Sequence, residues 1–386
     1  MPVTQAGRSP PPVGILFANL KGNVGDFAIL HAMLRDLEAR FPGHPLHVYP
    51  HRYLSRDATR LSAFRDTGTP PFEILGPLDA QPRPAWHQTL SDRGYRRLAR
   101  ALAFQAVRQE ARPVARTLGG YAGVFTAGGD QWNGFIGLTM LATLKAVAAR
   151  TDRIWAYPFS INPRARRSLG DALLGRHLGL IRRPLPVRDT ISAEVARDLG
   201  LETADAGDCV YSLLPLARLV PPARGRGAGR TLLVLTGSAK PLEAALGAAV
   251  ARLLPAIPDL ALLSTCDLED GPVCRPLAAA QGIPYLTPLT WQETVAELKA
   301  ASLVVTNRLH CLIFSTLADV PVLPIADRKK AEAYVRDANM PHHAATIADL
   351  TPDRLEAARS DRCLVVSRMV AYRTRMLNLP TSPLGV

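Results

Sequence analysis

Short apolar runs alternate with stretches of helical spacing along much of the chain, a grammar that predicts parallel strands covered on both faces by helices. A strand over 13–18 leads through Gly22-Asn23-Val24-Gly25 into a helix over 26–40; a strand over 231–235 leads through Gly237-Ser238 into a helix over about 241–254. The second half continues with strands at 260–264, 284–287, 303–306 and 322–325 and helices at 291–300, 311–318 and 329–336. In the first half further strands are predicted at 123–127, 154–157 and 185–188, with 70–84 a proline-rich loop. The run Pro221-Pro222-Ala223-Arg224-Gly225-Arg226-Gly227-Ala228-Gly229 has no periodic apolar pattern and reads as a linker. The expected fold class is therefore α/β, with two Rossmann-like domains facing a cleft: an N-terminal domain over 13–220, a C-terminal domain over 230–350, and a segment over 351–386, helical at 354–375, that packs back on the first.

Composition narrows the class. The 386 residues are 47% hydrophobic and 20% charged, which excludes a disordered or collagen-like chain. The run 13–20 lacks a basic leader and a small-residue cleavage site, and reads as a first strand rather than a signal peptide. Lys145 interrupts the most apolar stretch, 137–149, so no membrane span is expected and the expected address is the cytoplasm. Five scattered cysteines form no C-x-x-C pair and suggest neither a disulfide framework nor zinc. The net charge of +13 is carried mainly by arginine, with clusters at Arg93, Arg96, Arg97 and Arg100, then Arg108, Arg112 and Arg116, and again from Arg164 to Arg183. Such faces rest on an anionic membrane surface, steer anionic substrates, or are simply solvated. Aromatic residues are 6% and are not interleaved with them, so no nucleic acid partner is expected.

The candidate chemistry lies at the corner Val304-Val305-Thr306-Asn307-Arg308-Leu309-His310, where a strand runs into a helix. Ligands of open α/β sheets bind at the carboxyl ends of strands, and a fixed cation beside a titratable imidazole suits an anionic substrate that also needs a proton moved. The plain alternative is an Arg and a His on a surface turn. Asp26, after the turn Gly22 to Gly25, reads equally as a helix cap worth ~1 kcal/mol. No cluster of His, Asp and Glu asks for a metal.

Five motifs in order resemble the polysaccharide pyruvyltransferase family over roughly 13–340: the stretch 19–30 with its G-N-x-G-D core, Gly128-Gly129-Asp130-Gln131-Trp132-Asn133, Val187-Arg188-Asp189 with Ser192, Gly207-Asp208, and Asn307-Arg308-Leu309-His310 followed by Ile313-Phe314 and Val320-Pro321-Val322. The resemblance implies a GT-B-like two-domain fold and transfer of pyruvate from phosphoenolpyruvate to a sugar of a polysaccharide or lipid-linked glycan, as a ketal. It also implies no cofactor beyond phosphoenolpyruvate as co-substrate; the basic faces, where they rest on a membrane, would put the protein at the inner membrane face. Arg188 and Arg308 match phosphoenolpyruvate-binding positions, with Leu309, Asn23 and Gly25 beside them; His310 and Asp26 match catalytic ones; Asp130, Gln131 and Asn133 fall where the acceptor is held. Two departures stand out: many relatives have one more residue between Gln131 and Trp132, and the usual D-P is Asp208-Cys209 here.

On that reading two guanidinium groups, one from each domain, grip the carboxylate and phosphate in bidentate fashion. His310, with an unperturbed pKa of ~6.5, gives and takes the proton, and Asp26 orients or deprotonates the sugar hydroxyl. The rival expectation is a GT-B glycosyltransferase using a nucleotide-sugar donor, because fold does not settle function. A third is a basic, non-catalytic module on a membrane or nucleic acid.

Overall fold

The computed structural model describes residues 9–51, 56–76, 96–129, 132, 134–224, 229–236, 240–380 and 382. Within the first half the described elements are β1 (Val13–Ala18), α1 (Val24–Arg40), β2 (Leu46–Pro50), α2 (Ala58–Arg65), β3 (Glu73–Ile74), α3 (Arg96–Glu110), α4 (Arg112–Leu118), β4 (Gly123–Thr126), α5 (Gly134–Ala148) and β5 (Ile154–Ala156). They are followed by α6 (Pro163–Leu169), α7 (Asp171–Leu178), β6 (Leu185–Val187), α8 (Thr190–Asp198), β7 (Thr203–Asp205), a 3-10 turn at Cys209–Leu213 and α9 (Leu214–Leu219). The second half holds β8 (Thr231–Val234), α10 (Lys240–Leu253), β9 (Leu260–Leu263), α11 (Asp267–Gln281), β10 (Tyr285–Leu286), α12 (Trp291–Ala300), β11 (Leu303–Thr306), α13 (Leu309–Ala318), β12 (Val322–Pro324) and α14 (Lys329–Asp337). A 3-10 turn at Pro341–His343 precedes α15 (Pro352–Ser360) and α16 (Arg362–Leu377).

Both halves wind alike. One parallel sheet has the order β3-β2-β1-β4-β5, the other β10-β9-β8-β11-β12, so β1 and β8 hold equivalent central places. Every residue of β1, β8 and β11 is buried, which is why these strands read as unbroken apolar runs rather than alternating ones. This is the GT-B-like pair of Rossmann units flanking a cleft. At the carboxyl end of β1 the register against β2 shifts between Leu16 and Ala18, and Phe17 takes a positive φ of 66°. That bulge turns the chain toward Asn19 and the cleft.

The first-half strand expected at 185–188 does not join the main sheet directly. It forms β6 in a small parallel sheet with β7, tied to the larger one through bridges Gly129 to Phe159 and Phe159 to Val187. Strand β2 and helix α11 were not expected. The helix expected over 354–375 is divided into α15 and α16, and α16 packs against α13 and the 3-10 turn at Cys209–Leu213.

The halves share one apolar cluster, which includes Phe27, Leu30 and Leu34 of α1, Val210 and Leu213 of the 3-10 turn, Trp291 and Val295 of α12, Leu312 and Phe314 of α13, and Met369 and Met376 of α16. Inside it the Trp291 indole donates to His31 Nδ1 at 3.1 Å. Burial, with Arg35 adding to it, pushes His31 down to about 4, so the ring is a neutral acceptor. Among the described residues no helix is long and apolar enough to cross a membrane.

Candidate active site between the two sheets

The N-terminus of α1 forms one wall. Asn23 caps the helix by accepting the Gly25 N–H at 3.0 Å, a local task that accounts for its side chain. Gly22 holds a φ of 110°, and a Cβ there would lie 2.8 Å from Asp57 Oδ2, so only glycine fits. Val24 N–H donates to Thr265 O of the second half at 2.9 Å, and Lys21 Nζ lies 3.0 Å from Glu269 Oε1 on α11. These contacts fix the α1 terminus against the opposite lobe.

Asp26, in the first turn, accepts from Asn19 Nδ2 at 2.7 Å. Burial pushes its carboxyl up to about 6; Lys330, Arg188 and Arg308 pull it back and Glu269 adds to the rise. A small cavity lined by Asn19, Asp26, Ala127 and Gly128 opens beside it.

The facing wall is the β11–α13 corner. Asn307 is buried; its Oδ1 accepts the Thr236 N–H at 3.1 Å and its Nδ2 donates to Asp327 at 3.3 Å, joining the ends of β8, β11 and β12. Arg308 takes the cap position of α13, and its Nη2 donates to Asp270 of α11, whose other oxygen accepts from Ser264 Oγ at 3.0 Å. Burial opposes the Arg308 charge, but Asp270 beside it holds the guanidinium above its ordinary range. Leu309 is half-buried against the shared apolar cluster.

His310 crosses the cleft. Its ring lies against Gly25, where a Cβ would collide with Nδ1, Cγ and Cβ of the imidazole. Burial lowers its pKa to about 3; Asp208 raises it, and Arg188, Lys330 and Arg308 lower it further. His310 is therefore neutral at physiological pH. Burial and the three cations thus set His310 well below the unperturbed value on which its expected proton transfer rests, whereas burial moves Asp26 up toward neutrality.

Arg188 follows β6 and is buried, with Nη1 donating to Asp208 Oδ2 at 2.5 Å and Nε to Ser160 Oγ at 2.8 Å. Ser160 in turn donates to Asp189, which caps α8. The structure thus brings Asp26, Arg188, Arg308 and His310 together, with both guanidinium groups close enough to act on the carboxyl and the imidazole. Each arginine, however, has its own buried carboxylate. Asp130, Gln131 and Asn133 lie outside the described residues.

Asp270 and Lys330 were missed in the sequence. Asp270 stands on α11, a helix obscured by Gly271, Pro272 and Pro276. Lys330 stands at the start of α14, a helix expected over 329–336 without a role for this side chain. Asp208 belonged to a recognised motif, yet nothing in its spacing showed that it faces Arg188. Among the described residues no three His, Cys, Asp or Glu are grouped to hold a metal ion.

Residues 23–328 match a family described as polysaccharide pyruvyl transferase. No curated protein matches. Solved structures share the fold at low identity. The UDP-GlcNAc 2-epimerase of Methanocaldococcus jannaschii in complex with UDP-GlcNAc and UDP is 13% identical at a TM-score of 0.57, covering 97% of this chain and 96% of that one. The UDP-GlcNAc 2-epimerase of Neisseria meningitidis bound to UDP-GlcNAc is 9% identical at 0.56, covering 96% and 95%. The N-terminal domain of Candida albicans trehalose-6-phosphate phosphatase is 11% identical at 0.51, covering 97% and 95%.

The expectation of a pyruvyltransferase that takes phosphoenolpyruvate as co-substrate and partner is corrected. Nucleotide-sugar enzymes recur among the structures that share the fold.

Proposed function

The chain belongs to the polysaccharide pyruvyl transferase family, and from that premise we propose that its cleft binds a nucleotide-activated sugar and transfers the glycosyl group to a hydroxyl of a glycan acceptor. Membership fixes the motif positions and not the donor. The observation that carries the reading is the pairing of Asp26, whose carboxyl titrates at about 6, with the α13 terminus and its cations directly across the cleft. A diphosphate at that terminus would face backbone N–H groups and the positive end of the helix. Lys330 acts on both Asp26 and His310, and Arg328 on Arg308, so the start of α14 adds positive charge there.

In this reaction the bond from the anomeric carbon to the diphosphate oxygen breaks, and its electrons leave with the nucleoside diphosphate. The acceptor oxygen forms the new bond to that carbon and loses its proton to ionised Asp26. Neutral His310 orients a sugar hydroxyl by hydrogen bonding. The donor falls to the unit over 230–350 and the acceptor to that over 13–220, with 351–386 bracing the two. The work is placed in the cytoplasm, at the inner membrane face.

The test is thermal melting and product assay with UDP-GlcNAc, other nucleotide sugars and phosphoenolpyruvate. A nucleotide sugar is expected to raise the melting temperature and to release nucleoside diphosphate when a glycan acceptor is added. Stabilisation by phosphoenolpyruvate and by none of the nucleotide sugars would overturn the reading.

A further inference from the structure

We propose a second anion site, outside the cleft, in the groove between α3, α4 and the end of α5, which takes a ligand carrying several phosphate charges. The groove encloses about 600 Å³ and is lined by Arg108, Arg112, Arg116 and Arg150, with Ala115 and Ala149 among the small residues that leave it open. Among the described residues none of these four side chains has a hydrogen-bond or ion-pair partner. Neighbouring arginines of the same half behave differently. Arg166 is held by Asp171 at 2.7 Å and Asp198 at 2.6 Å, and Arg182 by Asp152 at 3.2 Å while lying over the Trp155 ring.

Four unneutralised guanidinium groups around one hollow repel each other. Arg112 and Arg116 are one helical turn apart, where like charges destabilise a helix. Arg112 also stands at the first position of α4, the end that disfavours a cation. Neither placement serves the helices; both suit an external anion. Arg108 also acts inward, as one of three cations that, after burial and against a hydrogen bond to Leu173, lower the His177 pKa. Planar guanidinium forks match phosphate oxygens two at a time, and four of them match three or four negative charges better than one. The hollow is also larger than one phosphate needs. It lies beside the amino end of β4 and the carboxyl end of α5, whereas Asp26 and His310 lie beyond the carboxyl ends of the strands.

Phosphate charges of this density come from a soluble oligophosphate or from clustered lipid headgroups, and two measurements separate them. Calorimetric titration with tripolyphosphate at low salt addresses the first; co-sedimentation with phosphatidylglycerol vesicles, against phosphatidylcholine, addresses the second. Each is run on the full chain and on Arg112→Glu, Arg116→Glu and Arg362→Glu, the last an exposed arginine of α16 that supplies the same change in net charge. The expected result is binding in at least one arm, weakened at least tenfold by Arg112→Glu and by Arg116→Glu and less than twofold by Arg362→Glu. The arm in which the loss occurs identifies the source. No binding in either arm, or equal weakening by all three variants, overturns the proposal.

Discussion

The imidazole of His310 rests on the α-carbon of Gly25, so that the first turn of α1 and the first turn of α13 meet across the cleft with only that ring between them. Two helix N-termini thus converge on one spot, and their positive ends reinforce each other. Asp26 and the buried carboxylates Asp208 and Asp270 are the negative charges placed to balance this concentration.

Gly25→Ala tests that contact. Replacing glycine by alanine in a helix normally stabilises by up to ~1 kcal/mol. Here the methyl group meets the imidazole, and overpacking of that kind costs about 1–3 kcal/mol. Urea denaturation should show a net loss of roughly 1–2 kcal/mol together with weaker nucleotide-sugar binding; a variant more stable than the wild type would mean the ring is not seated there.

The pH dependence of stability carries two opposed contributions. Asp26 titrates at about 6 when folded against 3.8 unperturbed, so between pH 4 and 6 the native chain holds the extra proton and stability falls as pH rises. His310 titrates at about 3 against 6.5, so between pH 3 and 6.5 the unfolded chain holds the extra proton and stability rises with pH. Asp26→Asn should therefore gain on the wild type from pH 4 to 6, levelling off at roughly 3 kcal/mol. His310→Gln should gain on it in the other direction, as pH drops from 6.5 toward 3. Chemical denaturation across pH reads both, and parallel curves for wild type and variants would contradict the assignment.

Asp208→Asn should destabilise the chain by about 3–5 kcal/mol, because it strips a buried guanidinium of its charge partner. Asparagine keeps the oxygen that accepts the Val210 N–H, so the turn itself survives. Adding Arg188→Met removes the stranded charge, and the double variant should recover part of the loss in a denaturation cycle. Strictly additive losses would show that the pair is not coupled.

Lys330→Ala should weaken nucleotide-sugar binding about tenfold, near 1.4 kcal/mol, with little change in unfolding midpoint, since the side chain is only half-buried. It should also raise the Asp26 pKa further, because Lys330 is the strongest of the cations that pull it down. In a pH–rate profile the acid limb moves to higher pH. An unmoved limb would place Lys330 away from the carboxyl.

The strands that carry the site were legible because β1, β8 and β11 are buried on both faces and left unbroken apolar runs. The β11–α13 corner could be read for the same reason, since a buried strand must end where Arg308 begins. Strand β2, LHVYP, was hidden by its interleaved polar residues, and α11 by its two prolines. That second omission had the larger effect. Without α11 there was no Asp270 to meet Arg308, and the ion pair that holds this arginine could not be anticipated. The same holds for Arg188, whose partner is 20 residues away and on a different element. Charge compensation between distant segments leaves no periodic trace; neither does desolvation, which moved His310 away from neutrality and Asp26 toward it.

The apolar cluster common to both lobes has a thermodynamic corollary. Prising the halves apart would wet Phe27, Trp291 and Met369 at once and strand the indole N–H from His31, so although each lobe has an apolar cluster of its own, part of the interior of both exists only while they are joined. Heating should accordingly give a single calorimetric endotherm rather than two, and a chain severed in the linker should yield fragments that aggregate alone and refold only when mixed.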